Sequence, residues 1–170
     1  MWKEQFEPLH CLNFGMGGDQ TQHVLWRVLN GELDFDLKPK VVVLLCGTNN
    51  TGHSAEETAE GVLACAREIG ARLLPRSHII VLGIPPRGRD PNPQRQRVAR
   101  ANELVEQQLK SQQPQVSFVP CPESFVNAQD GTISHTDMYD YLHLTNDGYA
   151  KFCEPLLDEI NQILQQQSKE

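Results

Sequence analysis

Basic residues and long apolar runs are both scarce in this 170-residue sequence. It has 15 Lys and Arg against 22 Asp and Glu, a formal net charge of −7 that argues against general binding to nucleic acids or anionic membranes. The longest uninterrupted apolar run, VVVLLC at residues 41–46, is far shorter than the roughly 20 residues needed to span a bilayer. We therefore expect small molecules or other proteins as partners, and no membrane span.

The cysteines form no pattern that indicates a disulfide framework or a zinc ribbon. Their number is odd, they are widely spaced and no CxxC pair is present. The five are Cys11, Cys46, Cys65, Cys121 and Cys153. A reducing, cytoplasmic setting fits this pattern best. With 39% apolar residues and no low-complexity tract, the chain has the composition of one globular domain over residues 1–170.

Four short apolar runs predict β-strands. They are CLNFG at 11–15, VVVLLCG at 41–47, HIIVLGI at 78–84 and VSFVP at 116–120, and each ends at Gly, Pro or a polar residue. Because the second run is apolar without alternation, we expect it to be buried on both faces, as strands are in a parallel sheet covered by helices.

Helical periodicity lies between these runs. A capping box that begins at Ser54 predicts a helix over about 55–74, and apolar residues three and four apart predict another over about 94–110. A last helix follows from Tyr149 onward, where Pro155 predicts a kink or a split. Strands alternating with helices predict a three-layer α/β/α fold with a parallel sheet, in which ligands bind beyond the carboxyl ends of the strands.

Polar segments follow two of the predicted strands. The turn NFGMGGDQT at 13–21 exposes backbone amides that suit an anionic oxygen, although a plain strand-to-helix turn also needs glycine. It lacks the spacing of the nucleotide-binding loops, so a phosphate or nucleotide binder is a weak alternative. In GTNN at 47–50, Asn49 either points an N–H donor into the cleft or caps the following turn.

A third polar segment, MYDYLHLTNDGY, precedes the last helix. Asp140 and His143 lie three residues apart, which suits a carboxylate that orients a basic imidazole but also occurs in ordinary surface turns. With His135 and Asp137 nearby, a metal site is a further alternative, yet four ligands crowded into nine residues would require the chain to fold around the ion.

Together these segments resemble blocks II, III and V of the SGNH (GDSL-like) hydrolases: GGD after one strand, GTNN after the next and DYLH near the C-terminus. The resemblance implies a flavodoxin-like α/β/α fold and a serine hydrolase without metal or organic cofactor. It implies that His143 is the general base and that Asp140 orients its imidazole. The backbone N–H of Gly18 and the side chain of Asn49 would form the oxyanion hole.

Within that family, the chain is similar to the catalytic alpha subunits of cytosolic type I platelet-activating factor acetylhydrolase. The likeness spans almost the whole chain, and the segments TQHVLW and TISH.DMYDYLHL are nearer to the alpha1 than to the alpha2 type. It implies hydrolysis of the sn-2 acetyl ester of platelet-activating factor and related acetylated phospholipids. The partners implied are a second alpha subunit, in a homo- or heterodimer, and a WD-repeat beta subunit.

Block I of the family, the GDS segment that carries the nucleophilic serine, has no counterpart in this sequence. None of the serines follows a predicted strand in a Gly-Asp context. They are Ser54, Ser77, Ser111, Ser117, Ser124, Ser134 and Ser168. We expect block I to fall before Met1, so that the chain is N-terminally incomplete and inactive as it stands. An alternative is a non-catalytic alpha-type subunit that acts through dimerisation and the beta subunit.

The same comparison predicts a gap in the sheet. In a doubly wound sheet of order 2-1-3-4-5, the first strand lies between the second and the third. Without it, residues 11–15 and 41–47 would face a gap with unpaired backbone groups. Each such group costs on the order of 1–3 kcal/mol where it is buried.

Overall fold

Three parallel strands form the sheet in a computed structural model that describes residues 1–110 and 115–168. They are β1 (Val41–Leu44), β2 (His78–Leu82) and β3 (Val116–Val119), in the spatial order β1-β2-β3. Both pairings are parallel, with Val41 opposite His78 and Ile79 opposite Val116. Ser111, one of the seven serines, lies outside the described residues.

Helices connect and cover the strands. The α-helices of the described residues are α1 (Trp2–Gln5), α2 (Thr21–Leu29), α3 (Ala55–Gly70), α4 (Pro93–Lys110) and α5 (Asn146–Gln167). Short 3-10 turns occupy Glu7–Leu9 and Glu123–Phe125. None of the helices in the described part of the chain is long and apolar enough to cross a membrane.

The central strand, β2, divides the core into two halves. Ile79 and Val81 pack with the buried side chains of α3 and α4, whereas Ile80 and Leu82 pack with those of α5. Ile80 and Val81 are fully buried, and each such side chain contributes about 1.5–3 kcal/mol to folding. Helices therefore lie on both faces of a parallel sheet, which confirms the predicted three-layer fold.

The predicted capping box at Ser54 is present, and helix α2 was not predicted. At the start of α3, Ser54 Oγ accepts the N–H of Glu57 at 3.1 Å while the Glu57 carboxylate accepts the N–H of Ser54 at 2.8 Å. The last helix neither ends nor splits at Pro155 but continues to Gln167. Helix α2 was not predicted, although Val24, Leu25 and Val28 lie three and four residues apart and pack on the core. The exposed apolar residues Trp26 and Leu29 obscure that period in the sequence.

The predicted strand at residues 11–15 is absent from the structure. Leu12 is 71% exposed, and Phe14 packs its ring on Phe35 at a centroid distance of 5.7 Å. A strand needs a neighbour for its backbone hydrogen bonds, and no strand in the described residues lies beside this segment. The prediction was wrong because an apolar, β-prone sequence does not by itself provide that neighbour.

Strand β1 also differs from its prediction. It was expected to be buried on both faces, but Val43 is 39% exposed and Leu45, just beyond the strand, is 45% exposed. The cause is its position at the edge of the described sheet, where only β2 pairs with it. Burial on both faces is found instead at the central strand β2, where four of the five residues are buried.

Candidate active site

A tight turn before α5 carries the predicted Asp-His pair. Met138 and Leu144 pair as an isolated antiparallel bridge, and Met138 is fully buried, which anchors the turn to the core. The N–H of Tyr139 donates to the carbonyl oxygen of His143 at 3.1 Å. Tyr141 has a φ of 62°, the left-handed conformation that non-glycine residues seldom adopt. The turn therefore reverses the chain within five residues.

Asp140 accepts three hydrogen bonds within this turn. Its Oδ1 accepts the backbone N–H groups of His143 at 2.7 Å and Leu142 at 3.1 Å, and its Oδ2 lies 2.7 Å from Nδ1 of His143. These bonds, above all that from the His143 backbone and then that from its ring, lower the pKa of Asp140 from 3.8 to about 2. The carboxyl group is therefore ionised at neutral pH.

The imidazole of His143 keeps one nitrogen free. When Nδ1 donates its proton to Asp140, Nε2 carries the lone pair, and nothing within residues 1–110 and 115–168 hydrogen-bonds to it. The Tyr139 ring stacks on one face of the imidazole, with centroids 5.8 Å apart and planes 16° apart. The His143 and Asp140 side chains are 62% and 43% exposed. An oriented imidazole with a free Nε2 is the geometry that a general base requires.

Arg27, on α2, stabilises the Gly-rich turn through contacts with two of its residues. Its guanidinium forms an ion pair with Asp19 at 2.8 Å and donates to the carbonyl oxygen of Phe14 at 2.9 Å, and it also pairs with Glu32. Gly18 has a φ of 84°, which favours glycine, and its N–H meets no acceptor among the described residues. The turn therefore presents a free backbone donor at the surface.

The GTNN turn is joined to the Gly-rich turn by four hydrogen bonds. The Asn49 side chain donates to the carbonyl oxygen of Asp19 at 3.0 Å, and Gln20 donates to the carbonyl oxygen of Asn49 at 2.9 Å. The buried Asn50 accepts the N–H of Thr21 and donates to its hydroxyl, both at 3.0 Å. One N–H of the Asn49 carboxamide remains for another acceptor. Gly18 and Asn49 are thus neighbours on one surface.

Arg87 and Gly88, which follow β2, bridge this surface to the Asp-His turn. Arg87 donates to the carbonyl oxygen of Thr48 at 2.8 Å, and the Gly88 N–H donates to that of Tyr141 at 2.8 Å. An open groove of about 660 Å³ lies beside the bridge. Its lining includes Arg87, Gly88, Asn92, Asp140, Tyr141 and Leu142. The structure therefore connects all the candidate residues through the carboxyl ends of β1 and β2.

His135 and Asp137 do not join the pair. Asp137 is buried and forms an ion pair with Lys151 at 2.6 Å, while Asp140 is committed to His143. No group of three or more His, Cys, Asp or Glu side chains in the described part of the chain is arranged to hold a metal ion. All five cysteines, which are among the described residues, are free thiols.

Four residues that organise the site were not predicted. Asn50 and Gln20 tie the two turns together, and Arg87 and Gly88 tie them to the Asp-His turn. The PRG triplet directly after a strong strand was the one available signal for the last two, since a glycine there permits a turn at the carboxyl end of the strand. No feature of the sequence distinguishes the role of Asn50 from that of Asn49.

A sequence model of the GDSL-like lipase/acylhydrolase family matches residues 2–151. The chain belongs to this family. Its members are lipases and acylhydrolases, so by family the chain is that of an esterase. The match extends over the Gly-rich turn, the GTNN turn and the Asp-His turn.

Two relatives within this family are similar over nearly the whole chain. The platelet-activating factor acetylhydrolase IB subunit alpha2 of Gallus gallus is 49% identical over 170 residues, 100% of this chain and 72% of the relative. Subunit alpha1 of Homo sapiens is 48% identical over 166 residues, 98% of this chain and 70% of the relative. The chain is therefore a close homologue of these alpha subunits, and the two identities are too similar to distinguish the subunit types.

The solved structures include relatives of the same fold. A GDSL-like lipase from Bacteroides thetaiotaomicron superposes with a TM-score of 0.76 at 17% identity, over 94% of this chain and 80% of the lipase. At that identity the superposition shows the fold alone. It agrees with helices on both faces of a parallel sheet.

Proposed function

We propose that the chain supplies the base, its orienting carboxylate and the oxyanion hole of an esterase that removes the sn-2 acetyl group of platelet-activating factor and related acetylated phospholipids. The observation that carries the proposal is the 2.7 Å contact between His143 Nδ1 and Asp140 Oδ2, which leaves Nε2 free. The close similarity to the two alpha subunits supports the choice of substrate.

The reaction follows the serine hydrolase scheme. His143 Nε2 takes the proton of the serine hydroxyl as its oxygen attacks the acetyl carbonyl, and Asp140 stabilises the resulting imidazolium. The N–H of Gly18 and the free N–H of Asn49 donate to the oxyanion, each contributing about 2.7–4 kcal/mol in comparable sites. The intermediate then expels the lysophospholipid alcohol, which receives the proton from His143. Water attacks the acetyl-serine in the same way, releasing acetate and restoring the serine.

We also propose that a polypeptide of these 170 residues alone is inactive. The serine that the family places in block I has no equivalent in the sequence. Of the serines that are described, Ser54 caps α3, and Ser77 donates to the carbonyl oxygen of Pro39 at 2.7 Å. Removal of a triad member leaves at most a residual rate of about 10³–10⁴ over water. No acetyl hydrolysis above that level is expected.

A chimera tests the proposed function. The GDS-bearing segment of an alpha subunit is fused ahead of Met1, and hydrolysis of an sn-2 acetyl phospholipid is measured. We expect activity in the chimera, a loss of about 10⁴-fold or more with His143→Gln, and little change with the matched control His135→Gln. An active chimera that is indifferent to His143→Gln would refute the assigned base. A folded chimera without activity would refute the function.

A second candidate function is that of a non-catalytic alpha-type subunit in the cytoplasm, acting through an alpha-subunit homo- or heterodimer and a WD-repeat beta subunit. The exposed apolar side chains of Trp26 and Leu29, one turn apart on α2, support a protein-binding surface there. Light scattering of the 170-residue chain tests pairing. We expect Trp26→Arg to weaken it and Leu74→Arg, at an exposed apolar position elsewhere, to leave it unchanged.

A further inference from the structure

The guanidinium of Arg95, in the first turns of α4, holds three backbone carbonyl groups. Nη1 donates to the carbonyl oxygen of Gly131, and Nη2 donates to those of Gly88 and, at 3.2 Å, Arg89. Neither of the loops that contain these carbonyls belongs to a helix or strand. A planar fork of N–H donors suits this task, because it reaches several acceptors at fixed angles.

We propose that Arg95 is a positioning residue for the Asp140–His143 pair. The proposal rests on the proposed function, since it explains how the base of that site is held. Arg95 lies outside the pair, and it acts through the two chain segments that support the turn between residues 138 and 144.

The first segment is the loop that follows β2. Arg95 binds the carbonyl oxygen of Gly88, while the N–H of the same residue donates to the carbonyl oxygen of Tyr141 at 2.8 Å. Gly88 has a φ of 82°, and a Cβ added there would lie 2.5 Å from Nδ2 of Asn92. Only glycine therefore lets this residue face Arg95 with one backbone group and Tyr141 with the other.

The side chain of Asn92 stabilises the same loop after β2 by hydrogen bonds to its backbone. Its Nδ2 donates to the carbonyl oxygens of Arg87 at 2.9 Å and Asp90 at 2.8 Å, and its Oδ1 accepts the N–H of Arg95 at 3.0 Å. Backbone and side chain of Arg95 thus both bind the loop. We expect a displacement of the Arg95 side chain to displace Gly88 as well, because the guanidinium donates directly to the Gly88 carbonyl oxygen.

The second segment leads into the Asp-His turn from its N-terminal side. Arg95 binds the carbonyl oxygen of Gly131, and the N–H of the buried Ile133 donates to the carbonyl oxygen of Arg89 at 2.8 Å. The next residue, Ser134, accepts the N–H groups of Asp137 and Met138. The chain that enters the turn is therefore tied to the same guanidinium.

Tyr141 links the loop that Arg95 holds to the Asp140–His143 pair. It lies between Asp140 and Leu142 with a φ of 62°, a conformation that is unfavourable for a tyrosine without outside support. The bond from Gly88 holds the Tyr141 carbonyl in place. In that conformation the N–H groups of Leu142 and His143 point back to the Asp140 carboxylate. Loss of the support should lengthen these bonds.

The test is the side-chain titration of Asp140 in the 170-residue chain, followed by NMR of its carboxyl carbon. In the parent protein the bonds from His143 and Leu142 hold the pKa of Asp140 at about 2. Arg95→Lys keeps the positive charge but cannot reach three carbonyls, and Arg95→Gln removes the charge as well. We expect both variants to raise the pKa of Asp140 toward its ordinary value of 3.8.

Arg100→Gln is the matched control on the same helix. Arg100 is exposed and pairs only with Glu103 among the described residues, at 3.1 Å, so this change should leave the Asp140 titration where it is. An unchanged pKa of Asp140 in folded Arg95→Lys overturns the proposal. If Arg95→Gln fails to fold, the result for Arg95→Lys alone is the test. The titration needs no catalysis, so an inactive chimera with a shifted Asp140 would refute the proposed function and leave the positioning role standing.

Discussion

Gly148, in the first turn of α5, lies against the backbone of Asp137 so closely that an added Cβ would be 2.0 Å from the Asp137 carbonyl oxygen. The same oxygen accepts the N–H of Thr145 at 2.9 Å. Since Asp137 precedes the turn that carries Asp140 and His143, this approach fixes α5 against the start of the candidate active site.

Gly148→Ala is therefore expected to lower the free energy of unfolding by about 1–3 kcal/mol or more, because the new methyl group meets rigid backbone and forces α5 away. Chemical denaturation monitored by circular dichroism measures the effect.

Gly70→Ala is the matched control for that substitution. Gly70 ends α3, and a Cβ there would make ordinary contact with Ile79 at 3.5 Å. Because alanine restricts the unfolded chain and favours helix, we expect a gain of about 0.4–1 kcal/mol. Equal effects of the two substitutions would contradict the close approach at Asp137.

The hydrogen bonds to Asp140 make stability depend on pH. Its folded pKa of about 2 lies below the ordinary value of 3.8, so the unfolded chain takes up the proton first as the pH falls. The stabilisation is fully present above pH 4 and is lost between about pH 4 and pH 2. Urea unfolding of the parent and of Asp140→Asn should give a stability difference that shrinks across this window. A difference that stays constant there would show that the carboxylate is not bonded as described.

We expect Asn50 to stabilise the fold, because its buried carboxamide accepts the N–H of Thr21 and donates to the Thr21 hydroxyl. Asn50→Ala leaves the Thr21 N–H without its acceptor, which costs about 1–3 kcal/mol in the free energy of unfolding. The control is Asn161→Ala on the exposed face of α5, where we expect a change within about 0.5 kcal/mol. If both variants are equally stable, the two turns are not joined through Asn50.

Local patterns in the sequence predicted the elements that depend on local interactions. The capping box at Ser54 requires only residues three apart, and the apolar runs at 41–47 and 78–84 contain the strands β1 and β2. The contact between Asp140 and His143 is also local, because a tight turn brings residues three apart together. The roles of both residues in catalysis stay predictions.

The parts that were not predicted depend on distant partners. Residues 11–15 have the composition of a strand, yet strand formation depends on a neighbour that composition does not show. Arg95 binds backbone carbonyl groups up to 36 residues away. Every residue carries such a group, so the sequence does not show which of them a side chain binds. Asn49 and Asn50 are identical in type and adjacent, so that only the fold separates the half-buried donor from the buried one.

The tautomer of His143 tests the central claim most directly, and long-range nitrogen-proton NMR of the neutral imidazole reads it. We predict a proton on Nδ1, bonded to Asp140, and a bare Nε2 able to accept the proton of a nucleophile. His23 is an internal control, because its Nδ1 accepts the N–H of Gln20 at 3.1 Å and its proton must lie on Nε2. A protonated Nε2 in neutral His143 would contradict the account, since that nitrogen could then not serve as the base.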